Sequence, residues 1–356
     1  MIIFGSPRRY VQGPGVLGAI GRELIAIAGT AVLLADERVM ALCGETIRQS
    51  AAAAGVDLRP IRFGGEITYD EIARVIAEIG GTRPGIVIGA GGGKTIDTAK
   101  MVARDTGAKF VSVPTVASND SPTSHIAAIY DGEHKLIAVE EGNGNPELVL
   151  VDTQIIVGAP LPFLSAGVGD ALVKVFEVEQ CVGSGGKNTF GAFSPRSAVA
   201  LARACYETVR ENLAGAYAAH ARGVTDAAFE ALVEATVLMS GLAFESGGLS
   251  VSHGMTRGLS AVPGVANAMH GHQVAYGLLV QLDLEQRDEA FMADIRAFYR
   301  AAGLPLKLAD LGADRVSNST VATIAELSAA AAHMKKFNRP VSAENIADAI
   351  ARIEAF

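Results

Sequence analysis

Short β-branched runs alternate with helix-like segments through the first 150 residues of the chain. Thr30-Ala31-Val32-Leu33-Leu34 is followed by a helical pattern near 38 to 54, an apolar run near Leu58 to Phe63, and a helical pattern at 69 to 80. The strand-like run Gly85-Ile86-Val87-Ile88 and then Phe110-Val111-Ser112-Val113 continue the series. Alternation of this kind predicts a parallel sheet with helices on both faces. Glu147 to Asp152 reads as its last strand, and Ala159-Pro160-Leu161-Pro162 as a hinge. From Leu164 onward the period becomes helical, with long segments at 195 to 218, 225 to 243, 284 to 302 and 342 to 355. The last is opened by the capping signal Ser342-Ala343-Glu344, with Asn345 close behind. The expected architecture is an α/β domain over 1–160 and an all-helical domain over 161–356, without repeats or low-complexity segments.

Residues 89 to 100, GAGGGKTIDTAK, place a triple-glycine turn between a buried strand and the start of a helix. Glycines let the backbone turn sharply, and the N–H groups of a helix N-terminus favour an anion, so the segment is either a phosphate cradle or an ordinary tight turn. A nucleotide-triphosphatase loop is excluded, because its first glycine would fall where the chain has Ile88. The GxGxxG register fails as well, since Lys94 stands three residues after Gly91. Ligands of parallel sheets bind beyond the carboxyl ends of the strands. Asp36 stands at one such end, where a carboxylate either holds the ribose hydroxyls of a dinucleotide or caps the next helix. The stretch Pro114 to Ser124 stands at another.

A chain of 356 residues that is 49% hydrophobic has material for more than one core. The formal charge of −8, with no basic run beyond Pro7-Arg8-Arg9 and Lys335-Lys336, argues against a nucleic-acid partner and for small-molecule ligands. Cys43, Cys181 and Cys205 lie far apart without metal-ligand spacing, as expected of buried thiols in a reducing cytoplasm. Mean hydropathy is high at +0.30, yet charged residues interrupt the apolar stretches, so no membrane partner is expected. The surplus apolar surface suggests subunit interfaces.

The helical half carries a second constellation. Gly167-Val168-Gly169-Asp170-Ala171-Leu172 puts a carboxylate at an expected helix start, where it is either a cap or a ligand. Glu245 to His253 and Met269-His270-Gly271-His272 contain three of the seven histidines. His253 and His270 are separated by Pro263-Gly264, so they belong to different elements that could converge. Each is either a satisfied core histidine or, with Asp170, part of a donor set that a catalytic divalent metal accepts.

These motifs together resemble the glycerol dehydrogenases of the iron-containing (group III) alcohol dehydrogenase superfamily, from Tyr10-Val11-Gln12-Gly13 to roughly residue 280. The matching segments are Gly91 to Lys100, Val113-Pro114-Thr115 to Ser124, Gly167 to Ala171, Phe244 to His253, and His270-Gly271 leading to Tyr276-Gly277. The resemblance implies a Rossmann-like NAD site joined to an all-α domain, the architecture shared with dehydroquinate synthase. It implies that Asp170, His253 and His270 hold Zn²⁺, with Fe²⁺ as the alternative, and that Asp120 lies beside the substrate. It further implies NAD contacts from Asp36, Gly91, Gly92, Gly93, Lys94, Thr95, Thr115, Ser118, Ser124, Ile126 and Tyr130. The implied activity is reversible, NAD-dependent oxidation of glycerol or a related vicinal diol in a homo-oligomer, an octamer in this family.

Departures bear on the substrate. His125 stands where these enzymes usually have a small residue, His272 replaces a common Glu, and the segment Met334 to Pro340 differs from the usual tail. Arg257 keeps open a reductase of a 2-oxo acid or of dihydroxyacetone phosphate. A dehydroquinate-synthase-like lyase would need a pocket crowded with Lys and Arg, and a non-catalytic binding protein would be expected to have lost the ligand residues.

Overall fold

The computed structural model describes every residue except 82, 134, 135 and 356. It divides into two compact units. The first comprises Gly5–Ala159 with Ala218–Leu238, and the second comprises Met1–Phe4, Pro160–Tyr217 and the chain from Met239 onward.

The first unit is built on strands β1 (Tyr10–Gly13), β2 (Thr30–Ala35), β3 (Asp57–Arg62), β4 (Ile86–Gly91), β5 (Lys109–Pro114) and β8 (Leu148–Asp152). They form one sheet in the order β1-β8-β5-β4-β2-β3, with every pair parallel. Its helices are α1 (Ile20–Ile25), α2 (Glu37–Val39), α3 (Glu45–Ala53), α4 (Tyr69–Ile79), α5 (Gly93–Thr106) and the short α6 (Thr153–Val157). A π turn over Met40–Gly44 joins α2 to α3. Because strand side chains alternate, β2 sends Ala31, Leu33 and Ala35 into one core with Leu24 and Ile47, and Val32 and Leu34 into the other with Ile72 and Ile96. Both faces of the sheet are therefore covered, which is why its strands read as continuous apolar runs.

Two features of this unit lie outside the sequence expectation. Ile126–Tyr130 (β6) and Leu136–Glu141 (β7) pair antiparallel as a separate ribbon. The Asp131-Gly132 pair between them is an ordinary hairpin signal. The four-residue β1 is too short to show a period, and its pairing with β8 is what makes it a strand.

The second unit is helical: α7 (Leu161–Leu172), α8 (Lys174–Gly183), α9 (Arg196–Ala221, which runs on into the first unit), α11 (Ser240–Gly247), α12 (Val251–Leu259), α13 (His270–Leu284), α14 (Glu289–Ala302), α15 (Asn318–Ala329) and α16 (Ala343–Ala355). The segment expected as one helix at 225 to 243 is α10 (Ala227–Glu234), a π turn at Ala235–Met239, and then α11. Although α10 is helical, it belongs with the sheet, because Gln12 and Thr153 both hydrogen-bond Glu230. The stretch Ala227–Gly247 has the length and apolarity of a membrane-crossing helix, but more than half of its most apolar window is buried inside the protein. The helix expected from 284 starts at Glu289, where the Asp288 carboxylate accepts the Phe291 N–H at 2.9 Å. At α16, Ser342 and Asn345 cap each other's backbone N–H groups at 3.2 and 3.1 Å.

Asp170 does not begin a helix; it lies in the last turn of α7, and the backbone runs through Val173 into α8 with helical angles. Helix α13 packs against α7 at two glycines that flank the candidate ligands. A Cβ on Gly271 would lie 1.9 Å from the Ala166 carbonyl oxygen, and one on Gly169 would lie 2.6 Å from the Gly271 carbonyl oxygen. Gly271→Ala is therefore expected to cost about 1–3 kcal/mol through forced separation of the helices. Gly18→Ala, where an added Cβ meets nothing within 4 Å, serves as the control. Urea unfolding of the two variants checks this, and equal midpoints would remove the packing argument.

Candidate metal centre and dinucleotide cradle

The helical unit brings Asp170, His253 and His270 together so that one donor atom from each lies within 4.8 Å of the others. Each comes from a different element: Asp170 from the end of α7, His253 from the first turn of α12, and His270 from the first residue of α13. The two imidazoles are 5.4 Å apart between ring centroids. Asp170 is fully buried, His253 nearly so, and His270 is exposed, with an accessible edge.

Two charged residues complete the centre, and neither was read from the sequence. Glu177, fully buried on α8, accepts from His253 Nδ1 at 2.5 Å with one oxygen. Its other oxygen accepts the backbone N–H groups of Ser250 and His253, each at 2.9 Å. It thus caps α12 and turns the His253 ring so that Nε2 faces Asp170, 3.5 Å from Oδ1. Lys174, also fully buried, donates to Asp170 Oδ1 at 2.5 Å and lies 3.4 Å from His253 Nε2. The missed signal was spacing: Asp170, Lys174 and Glu177 stand at i, i+4 and i+7, which is one face of a helical path.

The charges in this space perturb one another. Burial alone would raise the Asp170 pKa, but Lys174 and the two histidines hold it well below the usual carboxylate range. Burial works against protonated His253 and is outweighed by the Glu177 carboxylate, which lifts its pKa to about 9. Desolvation and the nearby cations push His270 down to about 4, although its accessible edge weakens the desolvation. One buried atom, Asp170 Oδ2, has no hydrogen-bond partner. A buried carboxylate that leaves one oxygen without a partner, grouped with two imidazoles, fits a divalent metal such as zinc, which takes N and O donors.

In the sheet unit, the strand order places β2 next to β4 although β3 intervenes in the chain, so the connections diverge there. Beyond the carboxyl ends of these strands stand Asp36 and Gly91 to Thr95, at the position where such sheets bind dinucleotides. Gly91 has φ +151, and a Cβ there would come 2.7 Å from Thr95 Oγ1. Gly92 opens α5 with no side chain capping it, so the first N–H groups of α5 remain available to an anion. Asp36 Oδ1 accepts the Val39 N–H at 2.8 Å, so the carboxylate does cap α2. Lys94, in the first turn of α5, pairs with Glu66 at 2.6 Å.

The stretch after β5 is held from beneath. Lys100, 1% exposed, donates to Asp97, Ser124 Oγ and the carbonyls of Ser121 and Ile126. Asp97 in turn accepts from Ser121 Oγ and the Ala128 N–H. The Asp and Lys of the glycine-rich motif are thus the scaffold of the segment that carries Asp120, Ser124, Ile126 and Tyr130. Thr115 is tied by its N–H to the Gly91 carbonyl at 3.0 Å, and Ser118 is half-buried on the same connection. Burial pushes the Tyr130 phenol up to about 12.

A family model described as iron-containing alcohol dehydrogenase matches residues 12–160. The glycolaldehyde reductase of Halobacterium salinarum is 38% identical over 91% of this chain and 89% of its own length. The glycerol dehydrogenase of Thermotoga maritima is 38% identical over 90% of this chain and 87% of its own length. The chain belongs to the iron-containing alcohol dehydrogenases. A solved structure of a probable glycerol dehydrogenase from Sinorhizobium meliloti superposes on this dehydrogenase with a TM-score of 0.95 at 35% identity, covering 100% and 99% of the two chains.

Three residues whose roles the resemblance leaves open, His125, His272 and Arg257, have distinct surroundings. His125 is buried within the sheet unit, and its carbonyl accepts the Gly142 N–H at 2.7 Å. His272 meets Ser165 Oγ at 3.2 Å, tying α13 to α7, and burial lowers its pKa. Arg257 is exposed and directed toward the Ala330 carbonyl, 3.5 Å away.

Glu177→Gln keeps an oxygen to cap α12 but presents an amide N–H to His253 Nδ1, which moves the ring proton to Nε2. Metal affinity should fall about 10–100-fold while the protein stays folded. A competition titration against a chromophoric chelator, with circular dichroism for the fold, measures this. Unaltered affinity would show that Glu177 does not orient the ligand.

Proposed function

We propose that this dehydrogenase catalyses reversible NAD-dependent oxidation of glycerol or a related small vicinal diol to the hydroxyketone. The observation that carries the reading is the convergence of Asp170, His253 and His270 to within 4.8 Å of one another, with Asp170 Oδ2 buried and without a hydrogen-bond partner. The glycerol dehydrogenases among the relatives support the substrate class.

Asp170, His253 and His270 would hold the metal, and Glu177 would keep His253 Nε2 turned toward it. When bound, the metal supplies Lewis acidity toward a hydroxyl or carbonyl oxygen, and NAD supplies the hydride acceptor. Gly91, Gly92, Gly93 and the first turn of α5 would receive the pyrophosphate, and Asp36 the adenosine ribose. Lys94, Thr95, Thr115, Ser118, Ser124, Ile126 and Tyr130 would supply the further contacts to NAD. Asp120 would accept a hydrogen bond from the substrate hydroxyl next to the reacting one, which sets the carbon presented to the cofactor.

The name of the Halobacterium relative favours a second reading, reduction of a small hydroxyaldehyde on the same residues. An anionic substrate such as a 2-oxo acid or a triose phosphate has less support, because Lys174 is paired with Asp170 and Arg257 faces a backbone carbonyl. A cytoplasmic homo-oligomer belongs to the proposal, and the exposed Ile2, Phe4, Val182 and Phe193 provide apolar surface for self-association.

Chelator-stripped protein should lose turnover with glycerol, 1,2-propanediol and glycolaldehyde, and Zn²⁺ should restore it. Assays of NADH formation and consumption would read this, and full activity in verified metal-free protein would end the mechanism. Asp36→Asn separates its two roles, since the amide oxygen can still cap α2 but lacks the charge that repels a 2′-phosphate. Thermal stability should hold while the preference for NAD over NADP shrinks at least about tenfold, or ~1.4 kcal/mol. A preserved preference would leave Asp36 as a cap alone.

A further inference from the structure

Lys174 stands inside the ligand set rather than beside it. Its ammonium touches two of the three groups that would hold the metal, at 2.5 Å from Asp170 Oδ1 and 3.4 Å from His253 Nε2. The side chain is fully buried, and the Phe244 ring lies 5.5 Å from Nζ. A lysine so placed cannot turn outward to solvent without breaking the packing around it.

A metal needs both imidazoles neutral, so the fixed charges of the centre are Asp170 and Glu177 against Lys174, one net negative charge. A divalent ion would then leave one net positive charge in a space that is buried except at His270, whereas the same centre without the ammonium would be neutral once the metal is bound. Like charges a few ångströms apart in the interior repel strongly, and the ammonium already occupies one oxygen of the only carboxylate in the donor set.

We propose that Lys174 is a built-in competitor for the divalent metal, which weakens the site, keeps its ion exchangeable, and supplies Asp170 with a counter-charge when the ion is gone. The inference rests on the assignment of Asp170, His253 and His270 as metal ligands. It makes this chain's occupancy depend on the divalent metal available around it.

The test uses the full chain, stripped of metal, with Zn²⁺ titrated in competition with a chromophoric chelator. Lys174→Met removes the charge and fills the same volume, and Lys174→Gln keeps a donor for Asp170 in case the first variant folds poorly. Both should bind Zn²⁺ at least ten times more tightly than the unaltered chain, and both should show a larger rise in melting temperature on adding Zn²⁺, from a lower metal-free starting point. Asp170→Asn should abolish binding in either background. Equal or weaker affinity in both lysine variants, with Asp170→Asn still abolishing binding, would overturn the competitor role and leave the metal site standing. Absence of Zn²⁺ binding in every protein would remove the metal site, and the proposal with it.

Discussion

A carboxylate with no access to water must be answered by positive charge or hydrogen bonds, and Asp170 is such a group. The helical unit is arranged around that requirement. Lys174 reaches it from one turn further along the same helical path, and His253 from α12. Glu177 then answers His253 and caps the helix that carries it, so one network fixes α8 and α12 relative to α7. The glycines at 169 and 271 let α13 come close enough to bring His270 to the same point. Truncating a member of such a network leaves another charge buried and uncompensated, which is costlier than losing a surface pair.

The sheet unit meets a different constraint. A parallel sheet covered on both faces leaves only its edges and strand ends for function, and at the carboxyl end the strand connections diverge between β2 and β4. The glycines after β4 and the carboxylate after β2 occupy that place. Beneath the following connection, Lys100 and Asp97 are buried as a pair and spend their hydrogen bonds on the backbone and hydroxyls of residues 121 to 128. Conserving volume with an apolar pair would leave those backbone groups without partners, so polar residues suit the position.

Much of this was legible in the linear chain for a physical reason. Doubly covered strands must be apolar throughout, so β2, β4, β5 and β8 appear as runs, and the change to a helical period after Leu164 marks the second unit. The glycine run and the widely separated Asp170, His253 and His270 show by residue type as candidates, and it is the family resemblance that implies their roles. The hairpin of β6 and β7 shows in the sequence only through its Asp-Gly pair, because a two-stranded ribbon carries little apolar alternation of its own.

What only the tertiary structure decided was which charged residues face inward together. Lys174 and Glu177 look like ordinary helical polar residues in sequence, and their i+4 and i+7 spacing becomes meaningful only when that face is turned into the interior. The same holds for α10, whose helical pattern gives no sign that Glu230 draws it to the sheet, and for Asp36, whose capping of α2 through Oδ1 is a matter of geometry that residue type only permits. Residue type and periodicity set what a segment can form. Burial and partner distance, which depend on contacts between distant parts of the chain, set what each charged group does there.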